Sequence, residues 1–164
     1  MRNRVILTLF VCLYCNGPAP AQILIDTVAG GKIPSGVPAQ NVTIASVGEM
    51  TLDAKGNIVF CDSVRNVIRR IRRDGIIETI AGTGISGYGG DGGPAAAALL
   101  HGPSFPRFAS EGNLYFFDSF NYRIRRIDDN GVITTVAGTG IPGNFGADGP
   151  ATSAQIYHSR WSCC

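Results

Sequence analysis

Leu52-Asp-Ala-Lys-Gly-Asn-Ile-Val-Phe-Cys-Asp-Ser-Val-Arg-Asn-Val-Ile-Arg-Arg-Ile71 returns further along the chain as Phe108-Ala-Ser-Glu-Gly-Asn-Leu-Tyr-Phe-Phe-Asp-Ser-Phe-Asn-Tyr-Arg-Ile-Arg-Arg-Ile127. Gly56 falls on Gly112, Asp62-Ser63 on Asp118-Ser119, and Ile68-Arg69-Arg70-Ile71 on Ile124-Arg125-Arg126-Ile127, at a constant offset of 56 positions. The match runs on through Thr79–Gly84 onto Thr135–Gly140, and through Pro94-Ala95 onto Pro150-Ala151. An earlier partial copy starts at Thr27-Val28-Ala29-Gly30, with Pro38-Ala39 at the same offset before Pro94-Ala95. Self-similarity at a fixed period of this size marks a chain built from stacked supersecondary units.

Each unit predicts four short strands. In the first full unit they are Gly48–Leu52, Asn57–Cys61, Val67–Ile71 and Ile76–Ala81, rich in β-branched and aromatic residues. Turns at Lys55-Gly56 and Asp74-Gly75 separate the outer pairs, and the Asp62 and Ser63 side chains can hydrogen-bond the turning backbone between the inner two. The second unit places Glu111-Gly112, Asp118-Ser119 and Asn130-Gly131 at the same points. Four antiparallel strands followed by a glycine-rich crossover is the plan of a propeller blade. The fold class expected is all-β: a partial β-propeller of two full four-stranded antiparallel blades plus partial flanking units.

Leu52-Asp53 with Gly56-Asn57-Ile58 and Asp62, and Asn113-Leu114-Tyr115 with Asp118, Asn121, Arg123 and Ile124, resemble the NHL repeat. The continuation through Ala81–Gly84 and Asp91–Ala95 is similar to secreted bacterial NHL-repeat proteins. The resemblance covers nearly all of Thr27 to Ile156. It implies a binding or scaffold module. Its alternatives are a remnant of a propeller enzyme, lyase or lactone-hydrolase-like, or an RNA-binding NHL module. The first unit departs from the pattern: Arg65-Asn66-Val67 stands where the second has the Asn-x-Arg order.

Around the repeat, Arg2 and Arg4 precede an apolar run from Val5 to Cys15 that is too short to span a bilayer. Asn16-Gly17-Pro18 ends the run, and Ala19-Pro20-Ala21 offers small residues to a peptidase. Residues 1–21 are therefore read as a cleavable signal peptide, and the mature chain, from Gln22, as secreted or periplasmic. The domain plan is then 22–47, a partial first repeat and crossover loop; 48–103 and 104–156, two NHL-like blades each with its crossover; and 157–164, a tail matching nothing in the repeat. Propellers close with about four to eight blades. The chain is accordingly expected to be a truncated or frameshifted fragment, or else a short domain closed by self-assembly.

The whole chain carries 14 Lys and Arg against 12 Asp and Glu, and the two arginines of the leader account for the excess. A neutral mature chain argues against nucleic-acid or anionic-lipid partners. Arg69–Arg73 and Arg123–Arg126 are read as solvated rim, their stems covering apolar neighbours. Of the five cysteines, Cys12 and Cys15 lie in the leader, Cys61 in a strand, and Cys163-Cys164 at the end, so neither a disulfide framework nor a metal spacing emerges.

No cofactor, metal site or catalytic residue is expected. The glycines from Gly82 to Gly93 lack the Gly-Lys-Ser/Thr ending of a phosphate loop and are read as a crossover needing positive φ. Asp91 and Asp148 sit one position out of register and are read as turn carboxylates, not calcium ligands. Only His101 and His158 could act as bases, at unmatched repeat positions. Asn41-Val42-Thr43 has the form of a glycosylation sequon.

Alternating strand direction puts the loops between second and third strands on the same face as the crossovers. That face collects Arg65, Tyr88, Phe120, Asn121, Tyr122, Asn144 and Phe145, suited either to recognising a protein, peptide or carbohydrate ligand or to packing on one another. Uncovered blade faces, through residues such as Ile58, Phe60, Leu114 and Phe116, are expected to favour self-association.

Overall fold

The computed structural model describes residues 33–146 and 148–157. The leader, the Thr27–Gly30 copy, His158 and the terminal cysteines lie outside the described residues.

Two antiparallel sheets make up the described fold. The first contains β1 (Val37–Pro38), β2 (Met50–Leu52), β3 (Ile58–Asp62), β4 (Val67–Ile71) and β5 (Ile76–Ala81), in the order β1-β5-β4-β3-β2. The second contains β6 (Pro103–Phe108), β7 (Leu114–Asp118), β8 (Arg123–Ile127) and β9 (Ile133–Ala137), in sequence order. Asp53 explains the first turn: its carboxylate accepts from the Lys55 and Asn57 backbone N–H groups at 3.0 and 2.8 Å. Gly75, at φ +82°, closes the β4–β5 hairpin in a conformation open to glycine and strained for other residues.

The 56-residue offset survives in the register. Ile58 pairs with Ile71 as Leu114 pairs with Ile127. A β-bulge falls between Ile68 and Arg69, and again between Ile124 and Arg125. Such irregularities re-aim the neighbouring side chain. Short 3₁₀ turns at Ala39–Asn41, Ala95–Ala97 and Ala151–Ser153 follow the repeated prolines, and a fourth lies at Ser119–Asn121.

Each crossover clips onto the blade that comes after it. Val37 and Pro38 pair with Ile77 and Ile76, and Pro94 bridges to Val132 at the matching place. The Ala39 and Ala95 N–H groups donate to the carbonyls of Gly75 and Gly131, both at 2.8 Å.

The core lies between the sheets. Val59, Cys61, Ile68 and Ala81 of the first meet Leu114, Phe116, Ile127 and Ile133 of the second, with Ala95, Ala98 and Leu100 from the crossover filling the outer part. Each large apolar side chain so buried contributes roughly 1.5–3 kcal/mol. Phe60 and Ile77 point the other way, under Val37, Ala39, Val42 and Ile44. This corrects the expected exposed set: Leu114 and Phe116 are the inter-blade core, and Phe60 is covered by the incoming segment. Ile58 alone of the four is exposed. Successive residues of a strand face opposite ways, so one register decides which set is covered.

Candidate functional site: the crossover face and its arginine clasps

The bulge in β8 turns Arg125 into the protein, where its side chain has no exposed surface. Its guanidinium donates to the Leu99 and Gly89 carbonyls, both at 3.0 Å, to the Asp91 carboxylate at 2.7 Å, and to Asp118 Oδ2 at 3.4 Å. Five N–H donors in a rigid fork suit a residue that must hold several oxygens of one loop. Arg125 thus fixes the crossover between the two blades.

Asp118, also fully buried, closes the same loop from its other end. It accepts from the His101 backbone N–H at 2.7 Å and from Asn121 Nδ2 at 2.8 Å. Burial raises its carboxyl above the ordinary value, opposed by those bonds and by Arg125. Asn121 Nδ2 also reaches the Gly87 carbonyl at 2.8 Å. Arg123 donates forward to the Thr139 carbonyl of the next crossover at 2.7 Å, and its guanidinium lies 3.8 Å from the centre of the Tyr88 ring. The Asn-x-Arg order therefore has a physical meaning: the asparagine holds the crossover entering the blade, the arginine the one leaving it.

The first blade meets the same demand with different residues. Arg69, at the position of Arg125, is buried and donates to the Pro34 carbonyl. Its burial lowers the guanidinium's proton affinity, with Asp62 opposing and Arg65 assisting. Arg65 Nη1 takes the Thr43 carbonyl at 2.6 Å and Asp62 at 3.2 Å, matching the Leu99 and Asp118 bonds of Arg125. Val67, which replaces Arg123, is fully buried, and the preceding Asn66 Oδ1 accepts from the Gly102 N–H at 3.0 Å. The rim reading of the arginine strands is thus corrected at Arg69 and Arg125. It suits Arg70 and Arg72, which lie partly exposed and pair with Glu78 at 2.6 and 3.0 Å.

Asp91 is corrected as well: beyond a turn residue, it is the acid partner of Arg125. Burial pushes its carboxyl up, but hydrogen bonds from Thr135 and Arg125 outweigh this and leave it below the ordinary value. Among the described residues, no group of three or more His, Cys, Asp or Glu is placed to hold a metal ion. Gly82, at φ +90°, has no room for a Cβ because the Asn66 carbonyl oxygen lies against it.

The seven candidate loop residues do share contacts across the 2–3 loops and crossovers, but they divide by use. Arg65, Asn121 and Tyr88 are engaged, Tyr88 donating to Asp91 at 3.0 Å. Tyr122 is half-buried and supplies the φ +50° turn into β8. Phe120, Asn144 and Phe145 are exposed, with the Phe120 ring 4.8 Å from that of His101. The sequence reading missed Val64 and Ile85, exposed by 68 and 66 %, and Ile141 by 58 %. Val64 and Phe120 occupy one repeat position, Ile85 and Ile141 another. Apolar residues recurring inside loops at the repeat offset were the available signal.

No protein-family model and no curated protein matches this chain. Among solved structures, one of a protein of unknown function from Bacteroides thetaiotaomicron has 22 % identity and TM-score 0.57 over 72 % of this chain and 33 % of its own. An auxiliary nutrient binding protein from the same organism has 20 % identity and TM-score 0.47, covering 62 % of this chain and 26 % of that one. Virginiamycin B lyase from Staphylococcus aureus has 25 % identity and TM-score 0.41, covering 56 and 26 %. The chain spans about a third of the length of the first and about a quarter of the other two. The sheet topology and the first of these likenesses show the fold: two consecutive blades of a β-propeller.

Proposed function

We propose that this chain is an exported, NHL-type binding module whose crossover face takes a peptide or protein segment presenting apolar side chains. One observation carries the reading. The polar residues of the repeat are spent on holding backbone, while Val64, Phe120, Ile85 and Ile141 stand exposed at matched positions on the loops so held. Apolar anchors on loops fixed by a rigid scaffold bind at low ordering cost.

Binding is favoured over catalysis by the state of the acids and of His101. Asp62, Asp91 and Asp118 are each tied to arginine or backbone N–H groups, and the His101 ring faces that of Phe120. Pairing of Arg70 and Arg72 with Glu78 likewise weakens an RNA-binding reading. Export rests on Arg2, Arg4, the apolar run and Ala19-Pro20-Ala21. N-terminal sequencing of protein expressed in a bacterium is expected to begin at Gln22, and a soluble cytoplasmic product retaining Met1 contradicts export.

Selection of a displayed random-peptide library on the wild-type chain tests the face itself. Enriched peptides are expected to carry apolar or aromatic anchors and to lose about tenfold in affinity, or about 1.4 kcal/mol, on the Phe120→Ser or Ile85→Ser variants. Peptides that bind both variants as well as wild type refute the assignment.

A further inference from the structure

We propose that the chain carries two complementary blade-docking faces and associates head to tail with a second copy of itself. The contact within the chain supplies the template. On one face of the first blade, Val59, Cys61, Ile68 and Ala81 are at most 2 % exposed because the second blade covers them. Their repeat partners on the second blade, Tyr115, Phe117, Ile124 and Ala137, are only half-buried. That face carries an acceptor surface of the same design without the blade that covers its counterpart.

The matching donor surface lies at the other end. The second blade docks through Phe108, Leu114 and Phe116, which pack into the inter-blade core. Their repeat partners on the first blade are Leu52, Ile58 and Phe60. Met50 pairs with Phe60 and Leu52 with Ile58, so all four share one face. Phe60 is covered by the incoming segment, but Met50, Leu52 and Ile58 are 57, 60 and 37 % exposed. The edge nearest the next blade is thus left apolar and open.

A second copy is the occupant that both surfaces specify, because the chain already contains this contact once. The Glu49–Arg107 ion pair, which ties β2 to β6, falls on Phe105 and Thr51 at the new contact, so the proposed interface is the more apolar of the two. The contact is heterologous, donor to acceptor, and such contacts either close into rings or run on as filaments. Two to four copies would supply the roughly four to eight blades of a ring.

Sedimentation of the full chain, with two variants, tests this. Leu52→Glu blocks the donor face at an exposed site, and Ile124→Glu blocks the acceptor face. Far-UV circular dichroism and melting verify that each folds, with Val136→Glu as a second acceptor variant if Ile124→Glu does not. Wild type is expected to be oligomeric at about 50 μM and each variant monomeric. An equal mixture of the two is expected to form a dimer and nothing larger, because one intact donor then meets one intact acceptor. A wild-type monomer at that concentration, an oligomer that survives Leu52→Glu, or a mixture that stays monomeric overturns the proposal, whatever the loop face binds.

Discussion

Arg125 reaches Asp91 at 2.7 Å across 34 positions of chain, joining the third strand of one blade to the glycine-rich crossover that precedes it. The crossover has few side chains of its own with which to hold a shape, so the arginine fixes its carbonyls from beneath. The loop face is therefore as rigid as the blade, and that rigidity is what the proposed binding surface needs.

Arg125→Ala is expected to be severely destabilising, by about 3–5 kcal/mol, because it leaves Asp118 buried without its cation and two carbonyls without donors. Asp91→Asn, at a partly exposed site, is expected to cost about 1 kcal/mol. Urea denaturation with the double mutant closes the cycle. Additive losses would show that the two residues do not act together.

The strands were legible in the sequence because β3 and β7 are dense in branched and aromatic residues, and because Gly56, Gly75 and their copies mark the turns. The clasps were not. A run such as Arg69-Arg70-Ile71-Arg72-Arg73 reads as surface, since the oxygens that justify burying one of these arginines sit on residues far away in sequence. Leu99 and Gly89 lie 26 and 36 positions from Arg125. The assignment of Leu114 and Phe116 to an outer face failed for another reason. Alternation divides a strand into two sets without saying which neighbour covers each.

Glycine substitutions should separate two kinds of constraint. Gly75→Ala meets no neighbouring atom within 4 Å and is expected to cost about 1 kcal/mol for its φ of +82° alone. Gly82→Ala adds a collision with the Asn66 carbonyl and is expected to cost at least twice as much. Equal thermal shifts for the two variants would contradict the close approach of crossover and 2–3 loop.

Acid should act on the two buried acids with opposite sign. Asp91 is held below its ordinary value of 3.8, so its contribution is complete above that value and lost as pH falls through the folded value. Asp118 is held above 3.8 by burial, so protonation on acidification relieves a cost. Asp91→Asn is expected to flatten the loss of stability below about pH 4, and Asp118→Asn to steepen it. Urea midpoints measured down that range check both; curves parallel to wild type for both variants would contradict the signs.

Cys61 is 2 % exposed between the blades, and burial pushes its thiol well above the ordinary value. Alkylation followed by peptide mapping is expected to leave the Cys61 peptide unmodified in the folded chain and label it fully in urea. Rapid labelling of Cys61 without denaturant would show that the blades are not packed there.

Methyl-resolved NOE spectroscopy tests the stacked-blade architecture most directly. The account expects cross-peaks linking methyls of Val59 and Ile68 in the first sheet with those of Leu114 and Ile133 in the second, alongside the aliphatic protons of Ala98 and Leu100. Backbone contacts running across from β5 to β6, with no methyl contacts between the two sheets, would mean one continuous sheet and would contradict it.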